Sequence, residues 1–306
     1  MRGLAVKVGC CGFPVAKSRY YQSLDLVEVN STFYTIPKIQ LPERWRKEAP
    51  ESFEFTVKAH KSISHIYKLE PTPECLESYR RMAEICKTLR SRLLLIQTPA
   101  SVKPLDRTFL AAECFFKAVG GELTLLWETR GPEWLEGHAC KRLGQLLRDY
   151  GVVHVTDPLI REPVYAGRMV YVRLHGLGSR LYYYQYSDEE LKLLRRKIAK
   201  FARRGDVYVL FNNLSMFDDA IRFRTYLERD ELPPLTGTYG VESFRKVFEK
   251  TRFPTTLAKL QRYLGWRLFD LEPDKQLPVY TILERITARS FQNLEELVRA
   301  AEKIIG

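Results

Sequence analysis

Five short segments share one pattern: apolar at the start, polar at the end, with a period of two. In Met169-Val170-Tyr171-Val172-Arg173-Leu174-His175-Gly176, Val170, Val172 and Leu174 point one way. Tyr171, Arg173 and His175 point the other way, as side chains alternate along a β-strand. Phe53–His60 repeats the pattern with Glu54, Thr56, Lys58 and His60 on one face. Leu26–Asn30 places Glu28 with Asn30, and Leu125–Arg130 places Glu128 with Arg130. Val207–Asn213 ends in the amides Asn212 and Asn213. Strand-like segments fall near 4–10, 25–30, 53–59, 92–97, 123–128, 152–156, 169–174 and 207–212.

Helical periodicity fills most of the gaps, at 75–89, 107–119, 140–150 and 187–202. Ser187-Asp188-Glu189-Glu190 is a helix start, with acids where the positive end of the helix dipole favours them. Strands alternating with helices predict an α/β fold, a parallel (β/α)8 TIM-like barrel over residues 1–231. A doubly wound open sheet is the alternative. Polar groups at the C-terminal ends of the strands favour the barrel, whose active sites sit on that face. Leu232-Pro233-Pro234-Leu235-Thr236-Gly237 reads as a linker. Residues 232–306 are then linker plus a small C-terminal helical module. Helices are expected from Pro254 through Leu264 and over 291–305, without strand alternation. A packing or dimerisation element is the plain structural role for this module.

With 306 residues, 45% of them hydrophobic, the chain can bury one barrel-sized core and a small appendage. No run of about 18 apolar residues suggests a membrane span. The N-terminus runs straight into a strand without a signal-peptide core, so the expected compartment is the cytoplasm. The six cysteines show no metal spacing, and Cys10-Cys11 reads as small-residue packing. A net charge of +12 favours polyanionic partners. Abundant Lys, Arg and Glu with scarce Asn and Gln lean towards a thermophile, which weakens that inference.

Val8-Gly9-Cys10-Cys11-Gly12-Phe13, Val27-Glu28-Val29-Asn30-Ser31-Thr32-Phe33-Tyr34 and Phe53–Lys58 with Ile63-Ser64-His65 resemble a known family. So do Glu128-Thr129-Arg130 with Trp134, Asp157-Pro158, Tyr171–Gly176 and Val207–Asn213. The family is domain of unknown function 72, and the resemblance covers roughly residues 4–231. It implies a TIM barrel and little chemistry. Departures are Cys10-Cys11 where Thr-Ser is usual, Phe13 for Trp, Ser64 for Thr, and no His after Arg130.

In a barrel, the strand-end groups converge on one mouth. His175, Glu128 and Glu28 are the candidate catalytic residues. Asn30, Lys58, His60, Arg130, Arg173, Gly176, Gly178, Arg180, Tyr183, Asn212 and Asn213 are candidates for binding substrate or an anion. The loops after strands seven and eight are a barrel's usual phosphate site. Phosphate is expected between Arg173, the 176–179 backbone and Asn212, with Tyr182–Tyr184 placed to stack on bases. A divalent metal is one option: zinc on a set drawn from His60, His175, Glu28, Glu128 and Asp157, or Mg or Mn on Glu28, Glu128 and Asp157. The parity of Asp157 can turn it away from the centre. A metal-free Glu128–His175 pair is another option. An ion-pair network of Glu28 and Glu128 with Lys58, Arg130 and Arg173 is the purely structural alternative.

Three functions stay open. The leading one is a hydrolase acting on phosphodiesters, in nucleic acid. The second is a non-catalytic module binding nucleic acid or a phosphorylated ligand. The third is a lyase or isomerase on a small phosphorylated or sugar-acid substrate, since Lys58 plus a carboxylate also suits proton abstraction.

Overall fold

The computed structural model describes residues 6–306. Eight parallel strands close into a barrel in sequence order, with the last strand pairing back to the first. They are β1 (Val6–Cys11), β2 (Leu26–Val29), β3 (Glu54–Lys58), β4 (Leu93–Gln97), β5 (Thr124–Glu128), β6 (Val153–Thr156), β7 (Met169–Leu174) and β8 (Asp206–Phe211). Positions 4–5 of the first expected strand lie outside the described residues. Closure rules out the open-sheet alternative.

The intervening helices are α1 (Lys17–Ser23), α2 (Gln40–Glu48), α3 (Pro73–Thr88), α4 (Asp106–Val119), α5 (Gly137–Asp149), α6 (Asp188–Ala202) and α7 (Met216–Arg229). The step from β6 to β7 is made by a loop. The start of α3 is set by Thr72, whose side chain accepts from the Cys75 N–H, and by Pro73 at the first helical position.

By contacts, the chain divides into two compact units. One runs up to Leu174 and includes Arg196–Asn212; the other joins His175–Arg195 to Asn213–Gly306. The boundary read from Pro233-Pro234 left 175–195 and 213–231 with the barrel.

In the first unit, inward residues stack in layers along the barrel axis. At the N-terminal end, Lys7 pairs with Glu54, and both bond the Tyr208 hydroxyl. Leu26, Leu93, Leu95, Leu126, Val155 and Leu210 fill the middle. The ring of Tyr171 stacks on that of Tyr208, with centroids 5.7 Å apart. Gly9 permits the close approach of β1 and β2: a Cβ there would stand 2.3 Å from the Leu26 carbonyl oxygen.

The second unit has its own apolar core, built from Phe244, Phe248, Leu260, Phe269, Leu283, Phe291 and Leu297 among others. These come from α8 (Gly240–Phe248), α9 (Leu257–Leu264), α10 (Tyr280–Leu283), α11 (Leu294–Ile305) and two small antiparallel sheets. One sheet pairs β9 (Thr255–Thr256) with β12 (Ser290–Phe291), and the other pairs β10 (Leu268–Glu272) with β11 (Lys275–Pro278). The expectation of helices without strands is corrected here. These strands are two to five residues long, too short to register as alternation. A buried polar frame binds 175–195 to the C-terminal residues. The Arg222 guanidinium donates to the Tyr186 carbonyl at 2.9 Å and pairs with Asp188. Gln276 donates to Asp188 and Asp270, both at 2.9 Å. Among the described residues, no helix is long and apolar enough to cross a membrane.

Candidate functional site

The inward faces of β2, β5 and β7 end in Glu28, Glu128 and Arg173, as strand alternation requires. Arg173 stands between the two carboxylates. Its Nη2 donates to Glu28 Oε1 at 2.8 Å, and its Nη1 donates to Glu128 Oε2. The remaining oxygens are also occupied: Tyr171 donates to Glu28 Oε2 at 2.9 Å, and Arg130 Nη2 lies 2.7 Å from Glu128 Oε1. The Arg173 side chain is 1% exposed, Glu28 0% and Glu128 7%. Burial opposes the Arg173 charge, but its anionic neighbours outweigh it and hold the guanidinium firmly protonated. Cys11 lies beside them, its thiol pushed well up by burial.

This geometry corrects several expectations. Glu28 and Glu128 do not stand open as bases or metal ligands, because a guanidinium fills the space between them. Arg173 does not face an incoming anion. The ion-pair alternative accounts for Glu28, Glu128, Arg130 and Arg173. Among the described residues, no group of three His, Cys, Asp or Glu side chains could hold a metal ion. The carboxylate of Asp157 instead caps a turn, accepting from the Leu159 N–H at 2.9 Å.

Lys58 departs from that network. Its Nζ donates to Gln97 Oε1 at 2.8 Å and lies 4.2 Å from the centroid of the Phe33 ring. Burial, reinforced by the nearby Arg173 charge and opposed by Glu28 and Glu128, pushes its ammonium down to about 8. Thr32 fixes the local geometry, its hydroxyl 2.7 Å from the Lys58 carbonyl and 3.0 Å from that of Val29. This ties the ends of β2 and β3 together and carries Phe33 over the amine.

The loop after β3 supplies two histidines. His60 Nδ1 accepts from the Ser62 N–H at 3.2 Å, and His65 Nδ1 lies 2.8 Å from Ser64 Oγ. Burial lowers the pKa of both, and the Lys58 charge lowers that of His65 further. The His65 ring meets Phe33 edge-on at 5.0 Å. Asn30 precedes the short turn Ser31–Phe33, and its buried Oδ1 accepts no hydrogen bond from the described residues. Gln97, Phe33, Thr32 and His65 were not singled out as site residues from sequence. Thr32, Phe33 and His65 lay in the quoted family motifs, the one signal that could have found them.

The remaining candidates belong to the second unit, apart from Asn212, whose N–H donates to the Leu174 carbonyl at 2.8 Å. His175 is 6% exposed, and its ring lies 5.9 Å from that of Tyr182. The Gly176 N–H, expected to meet phosphate, donates to the Tyr186 hydroxyl at 2.8 Å. Its φ is +92°, and a Cβ would lie 2.4 Å from Tyr184 Cβ. At Gly178, a Cβ would lie 3.3 Å from the same ring. The glycines therefore seat Tyr184, which corrects their reading as a phosphate cradle. Asn213 is likewise structural, with Nδ2 donating to the Tyr184 carbonyl at 2.8 Å and to Asp219 at 2.6 Å. Arg180 and Tyr183 stack on each other at the wall of a cavity.

The sequence signature described as protein of unknown function DUF72 matches residues 17–236. The chain belongs to the DUF72 family. The UPF0759 protein YunF of Bacillus subtilis is 22% identical over 240 residues, 68% of this chain and 84% of that protein. YecE of Escherichia coli is 29% identical over 151 residues, 49% of this chain and 53% of that protein. A DUF72 family crystal structure from Enterococcus faecalis has the same barrel, with a TM-score of 0.62 and 22% identity, covering 73% of this chain and 98% of that one. One from Thermotoga maritima gives 0.61 and 24%, covering 74% and 100%.

Proposed function

We propose that this DUF72 barrel is a lyase or isomerase that abstracts a proton from a small anionic substrate carrying a carbonyl group, with Lys58 as the base. The observation that carries the reading is the buried, depressed amine of Lys58 at a strand end, hydrogen-bonded to Gln97 and close to His65, whose pKa burial and the Lys58 charge lower. A lysine near 8 is partly unprotonated at neutral pH, whereas an ordinary one is almost wholly charged. Holding such a group costs stability, which favours catalysis over passive binding. The phosphodiester-hydrolase reading relied on Glu28 and Glu128 as open bases or metal ligands, and both are engaged by Arg173.

In the proposed step, the neutral Lys58 amine takes the proton from the carbon next to the carbonyl. The C–H bond breaks and its electron pair passes into the enolate. Arg130, 27% exposed, supplies positive charge to the enolate oxygen. In an isomerase acting on an α-hydroxy carbonyl substrate, the hydroxyl proton on the deprotonated carbon passes to the enolate oxygen, and the Lys58 ammonium returns its proton to the former carbonyl carbon, which leaves the carbonyl on the neighbouring carbon. In a lyase, the enolate instead expels a group from the next carbon. Asn30 Oδ1 is a ready acceptor for a substrate hydroxyl.

The test is solvent deuterium exchange, followed by proton NMR, across keto acids, sugar acids and phosphorylated aldoses and ketoses. The expected result is loss of one carbon-bound proton signal, at a rate rising through about pH 8, and abolished in Lys58→Met. Exchange no faster than in buffer for every compound, or undiminished in Lys58→Met, would refute the reading.

A further inference from the structure

The second unit contains a cavity of about 650 Å³, within the usual range for small-molecule sites. Its walls come from two stretches, 178–190 and 261–280. The latter lies beyond the residues matched by the family signature, so the matched residues alone do not build this cavity.

Four aromatic side chains line it: Tyr183, Tyr184, Trp266 and Tyr280. Tyr183 and Trp266 meet nearly perpendicular, at 86° and 6.2 Å between centroids. The Arg180 guanidinium lies over the Tyr183 ring, with Cζ 3.2 Å from the ring centroid, and its Nη1 donates to the Arg262 carbonyl at 3.1 Å. Arg262 lines the same space. The lining carboxylate, Glu190, is already engaged: it accepts from the Ser187 N–H at 2.9 Å, the Ser187 hydroxyl at 3.1 Å and the Tyr184 hydroxyl. Arg180 and Arg262 therefore line the cavity without an opposing open carboxylate. Trp266 Nε1 donates to the Tyr263 carbonyl at 2.8 Å, which fixes the indole, and Tyr184 is seated by Gly176 and Gly178. Side chains held in place before binding lose little entropy when they bind.

Flat aromatic surfaces beside guanidiniums suit a planar ring joined to an anion. We propose that this cavity binds a nucleobase carrying a phosphate. The base stacks on the Tyr183–Arg180 pair or on Trp266, and the phosphate meets Arg180 and Arg262. The source is either a free nucleotide or one unit of a single strand. The proposal does not rest on Lys58 chemistry.

The test is fluorescence anisotropy with a labelled single-stranded oligoadenylate, with adenosine monophosphate as competitor, on the full chain. Binding is expected to weaken by about five- to 150-fold in Tyr183→Ala, the loss of one stacked base. It is expected to persist in Tyr183→Phe, which keeps the ring. Arg180→Ala should reduce the slope of log affinity against log salt by about 0.7, one phosphate contact on a single strand. Competition by the mononucleotide assigns the site to free nucleotide; binding of the oligonucleotide alone, with the same variant pattern, assigns it to a strand. Thermal melting shows that each variant is folded. No binding of either probe at low salt would overturn the proposal. So would binding unchanged in both Tyr183→Ala and Arg180→Ala, since the net charge of +12 would then account for it.

Discussion

Replacing Lys58 by Met should make the protein more stable at neutral pH, and the gain should vanish in alkali. In the fold, burial pushes the ammonium from its ordinary 10.5 to about 8. Each pKa unit is worth about 1.4 kcal/mol, so holding Lys58 charged at pH 7 costs about 3 kcal/mol. Met retains the buried stem but loses the hydrogen bond to Gln97, worth about 1 kcal/mol. The expected net gain at pH 7 is about 2 kcal/mol. Between pH 8 and 10.5, the unfolded wild-type chain binds a proton that the folded one does not. Wild-type stability therefore rises across that window relative to the variant. By pH 10, the advantage of Lys58→Met should have fallen by about 2–3 kcal/mol. Urea unfolding of both proteins at pH 7 and pH 10, read from the buried Trp127 and Trp134, measures this directly. Taking the difference between the two proteins cancels every other alkaline group. A stability difference independent of pH would refute the argument, because it would mean Lys58 titrates in the fold as it does in water.

Two further expectations concern buried groups. His154, whose Nδ1 accepts from the Val164 N–H at 3.1 Å, is pushed by burial to about 4. The unfolded chain then binds the extra proton below about pH 6.5, and stability falls by about 3 kcal/mol towards pH 4; His154→Gln should lose that acid sensitivity in a denaturant series. Asp219 is pushed by burial to about 7, against the donation from Asn213. Its folded form favours the proton, so stability is lost as pH rises from about 4 to 7. Asp219→Asn should gain about 2–4 kcal/mol at pH 8 and little at pH 4, checked by unfolding at both values.

Much of the fold was legible in the chain because it is written in local periodicity. Strand parity placed Glu28, Lys58, Glu128 and Arg173 on one face of their strands, and the alternation of strands with helices implied the barrel. The helices at 73–88 and 106–119 lay within a few residues of their apolar stripes. The short strands of the second unit escaped because two to five residues carry too little pattern. The glycines at 176 and 178 misled for a related reason. A glycine marks a close approach or a positive φ, and the sequence does not say whether the neighbour is a phosphate or the Tyr184 ring.

Parity along a strand depends only on chain geometry, so the sequence by itself determined which residues face inward and at which end of the barrel they sit. Which of those residues meet is decided by strand order and closure, which bring together positions as far apart as Glu28 and Arg173. Closure sets Arg173 between two carboxylates and leaves Lys58 buried beside Gln97 and Phe33. Identical residue types in an open sheet would have met other partners. The charge state of Lys58, and with it the chemistry available at the mouth, follows from desolvation and neighbouring charge. Both are properties of the closed barrel, with no counterpart in the linear order of residues.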